Sequence, residues 1–336
     1  MGFGTLGWSV GGRGGNNGKS LSDYMELVFD TSLAAGTDIE VPLFGTVDVT
    51  VDWGDGSSDI YATAGVKTHT YAGEGVYFVR ITGALTGFGH QTAAATAARA
   101  QKLIGCSGWG NLGITSVEGA FRDASNLVSA PDHLPANVTN TSLMFHTCTN
   151  FDQSVANFNT AAVTNMAYMF HTCTNFNQSV ANFNTAAVTN MSEMFANCPN
   201  FNQSVANFNT AAVTNMSTMF YGCTNFDQSV ANFNTAAVTN MEYMFYGCTA
   251  MSGAGIDAFS LAGLNAATSL TNFATSATFS TANYDAILIA WDAAKAGYRT
   301  DLAPHFGSST YSAGAAATAR GALVTHGWTI TDGGAA

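Results

Sequence analysis

Five cysteines and two histidines are the residues of this chain whose types and spacing could do chemistry. The cysteines recur every 25 residues, and His146 and His171 repeat once at the same spacing. Thiols in such a series could form disulfides, and thiols or paired imidazoles could bind zinc. A linear ladder offers no tetrahedron, however, and parallel thiols cannot all pair. We expect no metal site, a surface pair of histidines, and free buried thiols at Cys148, Cys173, Cys198, Cys223 and Cys248.

The acidic residues of the central region do not form a catalytic set. Asp152, Glu193, Asp227 and Glu242 occur singly along the chain. No Ser-His-Asp order has the strand-turn-helix elbow of a hydrolase, and no phosphate-binding loop occurs. We therefore expect a protein that is not an enzyme and needs no cofactor, with a carbohydrate-active hydrolase as the weaker alternative.

The cysteines belong to a repeat that occupies residues 141–250. An identical stretch begins at Ala156, Ala181, Ala206 and Ala231. A fixed period of this length indicates a solenoid, because one unit cannot bury its own apolar face and must stack on its neighbours. The phenylalanines that share one register are expected to form a buried ladder: Phe145, Phe170, Phe195, Phe220 and Phe245.

Within one repeat, the spacing of the apolar residues changes. Residues 166–173 place methionine, phenylalanine and cysteine at i, i+3, i+4 and i+7, which predicts a short helical turn. Residues 151–155 alternate apolar and polar side chains, which predicts a strand with Gln153 among its inward side chains. Polar residues that favour turns make up the remainder. Each coil is therefore predicted to contain a strand, a turn and a helical turn.

The predicted strand leaves polar side chains on its outer face. These side chains repeat hydrogen-bonding groups at a fixed spacing, so they could bind a glycan or another repeating polymer through many weak contacts. The alternative is that they only solvate a sheet face. The candidate ligand-binding rows are Asp152, Asn177, Asn202 and Asp227, and beside them Ser154, Ser179, Ser204 and Ser229.

The charge distribution limits the possible partners. Only 10% of residues are charged, the net charge is -12, and neither Lys nor Arg occurs between Arg122 and Lys295. Nucleic acids and anionic membrane surfaces are therefore not expected as partners. The sequence also has no run of about 18 apolar residues, so insertion into a membrane is not expected.

Residues 1–22 form a glycine-rich N-terminal arm with a few apolar side chains such as Trp8. We expect the arm to order against a neighbouring subunit or another surface protein, in a homo-oligomer or symmetric assembly. A disordered tail is the alternative. The arm lacks the basic and apolar regions of a secretion signal, which favours a protein that assembles in the cytoplasm.

Residues 23–84 contain short strands rich in β-branched and aromatic residues. The stretch 47–58 ends in Trp53-Gly54-Asp55-Gly56, and His69-Thr70-Tyr71 follows. These motifs resemble the PKD-type immunoglobulin-like module, and the resemblance implies a β-sandwich. Trp53 and Tyr71 are predicted to be core aromatics. A calcium site at Asp52 and Asp55 is the alternative, although two carboxylates are too few for such a site without further oxygen ligands.

The repeats resemble the BspA-like, leucine-rich-repeat-related family, which was first described as a mycoplasma lipoprotein repeat of unknown function. The motifs are Phe-Asn-Gln at 176–178, Val-Thr-Asn-Met at 188–191, Met-Phe at 194–195 and Cys198. The resemblance implies a non-catalytic surface protein of bacteria or of some phage particles, often considered adhesive.

The predicted fold class is mixed and β-rich. A PKD-like sandwich (23–84) is followed by a connector and N-terminal cap (85–116), a parallel leucine-rich-repeat-like solenoid (117–280) and a helical C-terminal cap (281–336). The preferred function is a phage virion surface protein, such as a tail fibre, receptor-binding protein or head decoration, that attaches to a host surface or glycan. A bacterial cell-surface adhesin is the alternative.

Overall fold

The computed structural model describes residues 22–90 and 97–336 and has a β-rich region followed by stacked coils. The predicted arm therefore lies outside the described residues, apart from residue 22. The strands are β1 (Met25–Asp30), β2 (Asp38–Asp52), β3 (Ser58–Tyr61), β4 (Gly65–Thr70), β5 (Val76–Phe88) and β6 (Leu103–Trp109). They form one antiparallel sheet in the order β3-β2-β5-β1-β6, with β4 also paired to β2.

The sheet encloses a core that contains the aromatic residues of the PKD-like motif. Trp53 is fully buried, and the Tyr71 hydroxyl donates a hydrogen bond to the Trp53 carbonyl oxygen over 2.8 Å. The turn between them needs glycine at Gly54, where φ is +78° and a Cβ atom would lie 2.6 Å from the Phe78 carbonyl oxygen. The motif thus fixes a tight turn beside the core.

The sheet extends beyond residues 23–84. β6, from the predicted connector, pairs with β1, and β5 continues to Phe88. The ends of these strands join the first coils through parallel bridges, Gly87 with Ser116 and Gly105 with Ser129. The predicted connector is therefore partly an edge strand of the sheet, on which the coils begin.

The repeats form a stack in which each 25-residue coil lies on the next. Parallel bridges join successive coils at one asparagine of each coil: Asn140, Asn165, Asn190, Asn215 and Asn240. Phenylalanine rings of neighbouring coils lie parallel, with centroids 5.5 to 5.8 Å apart from Phe145 to Phe245. A single buried apolar cluster continues from Met25 through these columns to Trp328. The sheet and the coils therefore share one core.

The predicted helical turn is not a helix. In each turn segment, by which we mean residues 141–148, 166–173, 191–198, 216–223 and 241–248, the third and seventh residues have φ between +56° and +74°. Alternate N–H groups point to the next coil; Met166 donates to Asn190 and Tyr168 to Ser192. The predicted helix was therefore wrong, because these N–H groups bond between coils. The predicted inward face of methionine, phenylalanine and cysteine is nevertheless buried.

The predicted strand at residues 151–155 is also not formed. Phe151 and Val155 are buried as expected, but Gln153 is only half-buried. Its side-chain amide accepts a hydrogen bond from the Ala130 N–H and donates one to the Ala130 carbonyl, both over 2.8 Å. Side chains take the place of the backbone ladder that a strand would have.

Other positions use the same kind of bond between coils. The Thr164 and Thr189 hydroxyls each donate to the threonine carbonyl one coil earlier, and Asn182 Nδ2 donates to the Ala156 carbonyl. The equivalent bonds recur at Thr214, Thr239, Asn207 and Asn232, so the stack depends on residue type at these positions.

The C-terminal region closes the stack with two helices, α2 (Thr281–Ala294) and α3 (Ala315–Thr325); a short α1 (Ala97–Ala100) lies before β6. Strands β7 (Thr310–Tyr311) and β8 (Gly334–Ala335) pair in parallel. Single 3-10 turns lie at Thr31–Leu33, Ile256–Ala258, Ala267–Leu270 and Lys295–Gly297.

Candidate functional site

The first candidate row is used within the stack. Asp152 Oδ1 accepts hydrogen bonds from the Asn177 N–H and from Gln178 Nε2, both over 3.0 Å. The same pattern continues through Asn202 to Asp227. Each side chain of this row therefore uses one oxygen atom to join its coil to the next, and ligand binding by the row stays a prediction.

The serine row has a local role. The Oγ atoms of Ser154, Ser179, Ser204 and Ser229 each accept a hydrogen bond from the N–H two residues later, at 3.3 to 3.4 Å. These bonds stabilise the turn that follows, as serine often does. The hydroxyls are exposed, but the geometry gives them no convergent arrangement around a ligand.

The cysteines and the phenylalanine ladder are core residues. All five repeat cysteines and Cys106 are free and buried. The Cys198 thiol donates to the Phe170 carbonyl over 2.9 Å, and each of the other repeat cysteines makes the same contact. Burial raises the pKa of Cys198 to about 12, so its thiolate, the reactive form, is scarce at neutral pH.

The acidic turn of the sheet is also satisfied internally. Asp52 Oδ1 accepts from the Gly54 N–H, and Asp55 Oδ1 accepts from the Ser57 N–H and hydroxyl. His69 Nε2 lies 2.8 Å from Asp55 Oδ2. These contacts account for the motif as a turn. In residues 22–90 and 97–336, no group of three or more His, Cys, Asp or Glu is placed to hold a metal ion.

The five turn segments carry a different surface, of which the sequence predicted only the histidine pair. We call it the turn face and define it as the third, sixth and seventh residues of each turn segment. Its side chains are half-buried, except the fully buried Ala196. His146 and His171 stack at 4.8 Å, and Tyr221 and Tyr246 at 4.9 Å. The surface is therefore rich in aromatic rings that meet solvent.

The turn face also contains ionisable groups in contact. Glu193 Oε2 lies 3.2 Å from His171 Nδ1. Burial alone would raise the pKa of Glu193, but its interactions with the nearby His171 and Tyr168 outweigh burial and hold this pKa below its ordinary value. Burial, together with Glu193, raises the pKa of Tyr168 to about 12. At neutral pH this part of the surface therefore has an ionised carboxylate beside the neutral phenol of Tyr168.

Differences between the coils are concentrated on this face. Residues 151–165, 176–190, 201–215 and 226–240 differ only at the Asp/Asn position that begins with Asp152. The turn face instead has leucine, tyrosine, glutamate or threonine at its third position and histidine, alanine or tyrosine at its sixth. The sequence differences between the repeats therefore mark the turn face, whereas the sequence that the repeats share does not.

Two overlapping stretches, residues 115–205 and 179–286, match one family model, described as a Mycoplasma protein of unknown function, DUF285. Together they span just over half of the 336 residues and include all five turn segments. The chain belongs to the DUF285 family. The repeat resemblance expected from the sequence is confirmed at this level, and the family description assigns no activity.

Beyond the DUF285 match, no curated protein and no solved structure matches the chain. Within the described parts of this DUF285 chain, no helix is long and apolar enough to cross a bilayer. The turn face and the coils that present it are therefore the features that bear on function.

Proposed function

We propose that this DUF285 chain is a non-enzymatic surface protein that attaches its bearer to a macromolecule on another surface. The observation that carries the proposal is the division of each coil into a nearly identical part and a varied turn face. Side chains of the identical part bond to neighbouring coils, while the turn face bonds to the next coil through its backbone and presents different side chains at regular steps. A rigid scaffold with one varied face suits recognition.

The finer fold assignment is part of this proposal. The parallel bridges and stacked rings support a leucine-rich-repeat-like solenoid, and the Trp53–Tyr71 turn supports a PKD-like module before it. We propose a bacterial cell surface as the location, because the matching family is described as a Mycoplasma protein. The virion assignment and assembly through the N-terminal arm stay predictions.

Location and attachment are tested in two separate experiments. Antibodies against the chain are applied to intact cells of the producing organism and to any particles that it releases. Labelling of intact cells is expected, with a cytoplasmic protein as the unlabelled control. Labelling of particles alone would instead support the virion assignment, and labelling only after lysis would contradict both.

Attachment is measured with beads that carry the intact chain, incubated with a panel of bacterial and epithelial cells. Beads carrying Tyr221→Ala/Tyr246→Ala are expected to adhere less to the cells that the wild type binds. Beads carrying Ala212→Ser, an exposed change in the identical part of the coil, should adhere like the wild type. Equal adherence of all three would remove the turn face from the function.

A further inference from the structure

Two clusters on the turn face have the same geometry. The first contains His146, Tyr168 and His171, with ring centroids 4.8, 5.6 and 6.4 Å apart. The second lies three coils later and contains Tyr221, Tyr243 and Tyr246, with the corresponding distances of 4.9, 5.7 and 6.4 Å. We call them the first and second aromatic triads. One chain thus presents the same arrangement twice.

The coil between the triads interrupts the aromatic column. At the sixth position, where the triads have rings, this coil has the fully buried Ala196, and its third position is Glu193. Stacked coils rise by roughly 4.8 Å each, so the triads lie about 15 Å apart. A ligand that contacts both must therefore be elongated and lie along the stack.

General divergence of the copies does not explain the triads. Ala161, Ala186, Ala211 and Ala236 are exposed and identical in all four copies, although their side chains are only methyl groups. Exposed positions elsewhere in the coil have thus stayed the same while the turn face has changed. The changes have placed large aromatic side chains at half-exposed positions. Aromatic residues of this kind dominate recognition surfaces.

The charge of the stack indicates the chemistry of the ligand. No Lys or Arg lies between Arg122 and Lys295. Asp123 lies 3.3 Å from His146 in the first triad, Glu193 lies 3.2 Å from His171, and the half-exposed Glu242 precedes Tyr243 in the second. An anionic polymer would be repelled at these positions, whereas a ligand with cationic groups would be attracted.

Ring orientation disfavours a neutral sugar. The rings of Tyr221 and Tyr246 are parallel to within 7°, and those of His146 and His171 to within 11°. Each ring therefore covers one face of its partner. A pyranose that must lie flat on a ring has only the outer faces of each pair, whereas a polypeptide can also use hydroxyl contacts and carboxylates.

We propose that the turn face binds an extended basic polypeptide segment that contacts both aromatic triads. An extended chain advances about 3.3 Å per residue, so four or five residues cover the separation of the triads. Glu193 and Glu242 lie two coils apart, or about 10 Å, so lysine or arginine side chains about three residues apart would lie beside them. This inference rests on the proposed attachment function and names the partner class of the same face.

The test uses a linear random-peptide display library panned on the intact chain. Clones that bind the wild type but not Tyr221→Ala/Tyr246→Ala are expected to carry two Lys or Arg residues about three positions apart. Enrichment of acidic or neutral peptides, or enrichment that ignores the variant, overturns the proposal.

A synthetic copy of the most enriched peptide is then titrated against each variant. Changing either triad to alanine, by Tyr221→Ala/Tyr246→Ala or His146→Ala/His171→Ala, is expected to weaken binding at least about tenfold. Ala212→Ser should change it less than about twofold. Glu193→Gln/Glu242→Gln should weaken binding and flatten its salt dependence. If both glutamine changes leave affinity and salt dependence as in the wild type, the charge argument fails.

Two further measurements separate this inference from folding and from the proposed function. Tyr221→Phe/Tyr246→Phe keeps the ring stack, so it should keep the wild-type urea midpoint and lose only part of the affinity even if the alanine pair unfolds. Triad-dependent binding of dextran, a neutral polysaccharide, without peptide binding would overturn the polypeptide assignment. The antibody labelling of intact cells is independent, so a surface location can hold while the triads prove inert.

Discussion

The N-terminal sheet and the coil stack share one core but are stabilised by different bonds. In the sheet, backbone ladders join the strands, and charges support them: Arg80 pairs with Glu26 at 2.9 Å, and the buried Lys102 donates to the Asp38 carbonyl over 2.8 Å. In the stack, backbone N–H groups of the turn segments bond to the next coil, and side chains of asparagine, glutamine, threonine and cysteine add further bonds between coils. The sheet therefore depends on backbone pairing, and the stack depends on residue type as well.

This difference explains why the coils repeat their amino-acid sequence so closely. A strand keeps its ladder when an exposed side chain changes, because the ladder belongs to the backbone. A coil loses a bond to its neighbour when one asparagine or glutamine changes, so most positions must stay the same. The turn face is the part where the backbone itself bonds between coils, as at Tyr168 and Ser192. Its side chains are therefore available to vary.

The largest effect is expected from Phe195→Ala. The ring is fully buried and stacks on Phe170 at 5.7 Å, Phe201 at 4.1 Å and Phe220 at 5.8 Å. Removing it leaves a cavity between three coils, which should lower the free energy of unfolding by about 3 to 5 kcal/mol. Urea unfolding followed by circular dichroism measures the loss.

The matched control is Phe78→Ala in β5, because this ring is 37% exposed. It should lower the free energy of unfolding by only about 1 kcal/mol, since folding buries less apolar surface at Phe78 than at Phe195. Similar losses for Phe78 and Phe195 would show that the phenylalanine column does not stabilise the stack as argued.

The next effect comes from the ladder that sequence reasoning took for a ligand row. Asn177 Oδ1 accepts bonds from the Asn202 N–H and Gln203 Nε2. Asn177→Lys removes this acceptor and should cost about 1 to 3 kcal/mol in the same measurement. Asn177→Asp keeps the acceptor, as Asp152 does in its own coil, and should be nearly neutral.

The sheet gives the contrasting control for the ladder. Thr68 is exposed on β4, where the backbone pairs with β2. Thr68→Lys should change the free energy of unfolding by less than about 0.5 kcal/mol. If Asn177→Lys proves equally harmless, the row is not a structural ladder.

The sequence predicted which residues are buried better than it predicted the backbone. The 25-residue period, the inward phenylalanines and the free thiols follow from apolar spacing, and the structure has these features. Residues such as Tyr168 adopt left-handed backbone angles, which side-chain spacing does not reveal because a helical turn buries the same positions. The outward polar rows looked like free groups because hydrogen bonds to a neighbouring copy leave no periodic signal of their own.

A smaller and pH-dependent effect should distinguish the sheet from the stack. The hydrogen bond from Ser57 lowers the pKa of Asp55 from 3.8 to about 2, with a further contribution from His69. The ionised carboxylate therefore stabilises the folded state fully above about pH 4, and this stabilisation is lost as the pH falls toward about 2. Asp55→Asn should reduce the change of the urea midpoint with pH between pH 5 and pH 2 (roughly the titration range of Asp55). Asn177→Asp should not reduce it.

The smallest change expected is a gain in stability at Thr172. This β-branched residue has φ +58°, a left-handed angle that is unfavourable for threonine, while the equivalent residues one and two coils later are Asn197 and Gly222. Asparagine tolerates this angle better, so Thr172→Asn should raise the free energy of unfolding by about 0.5 to 1 kcal/mol. The reciprocal Asn197→Thr should lose a similar amount. Because both side chains lie on the turn face, neither change touches the ladders, and a loss of stability in Thr172→Asn would mean that the threonine makes a contact that outweighs its backbone strain.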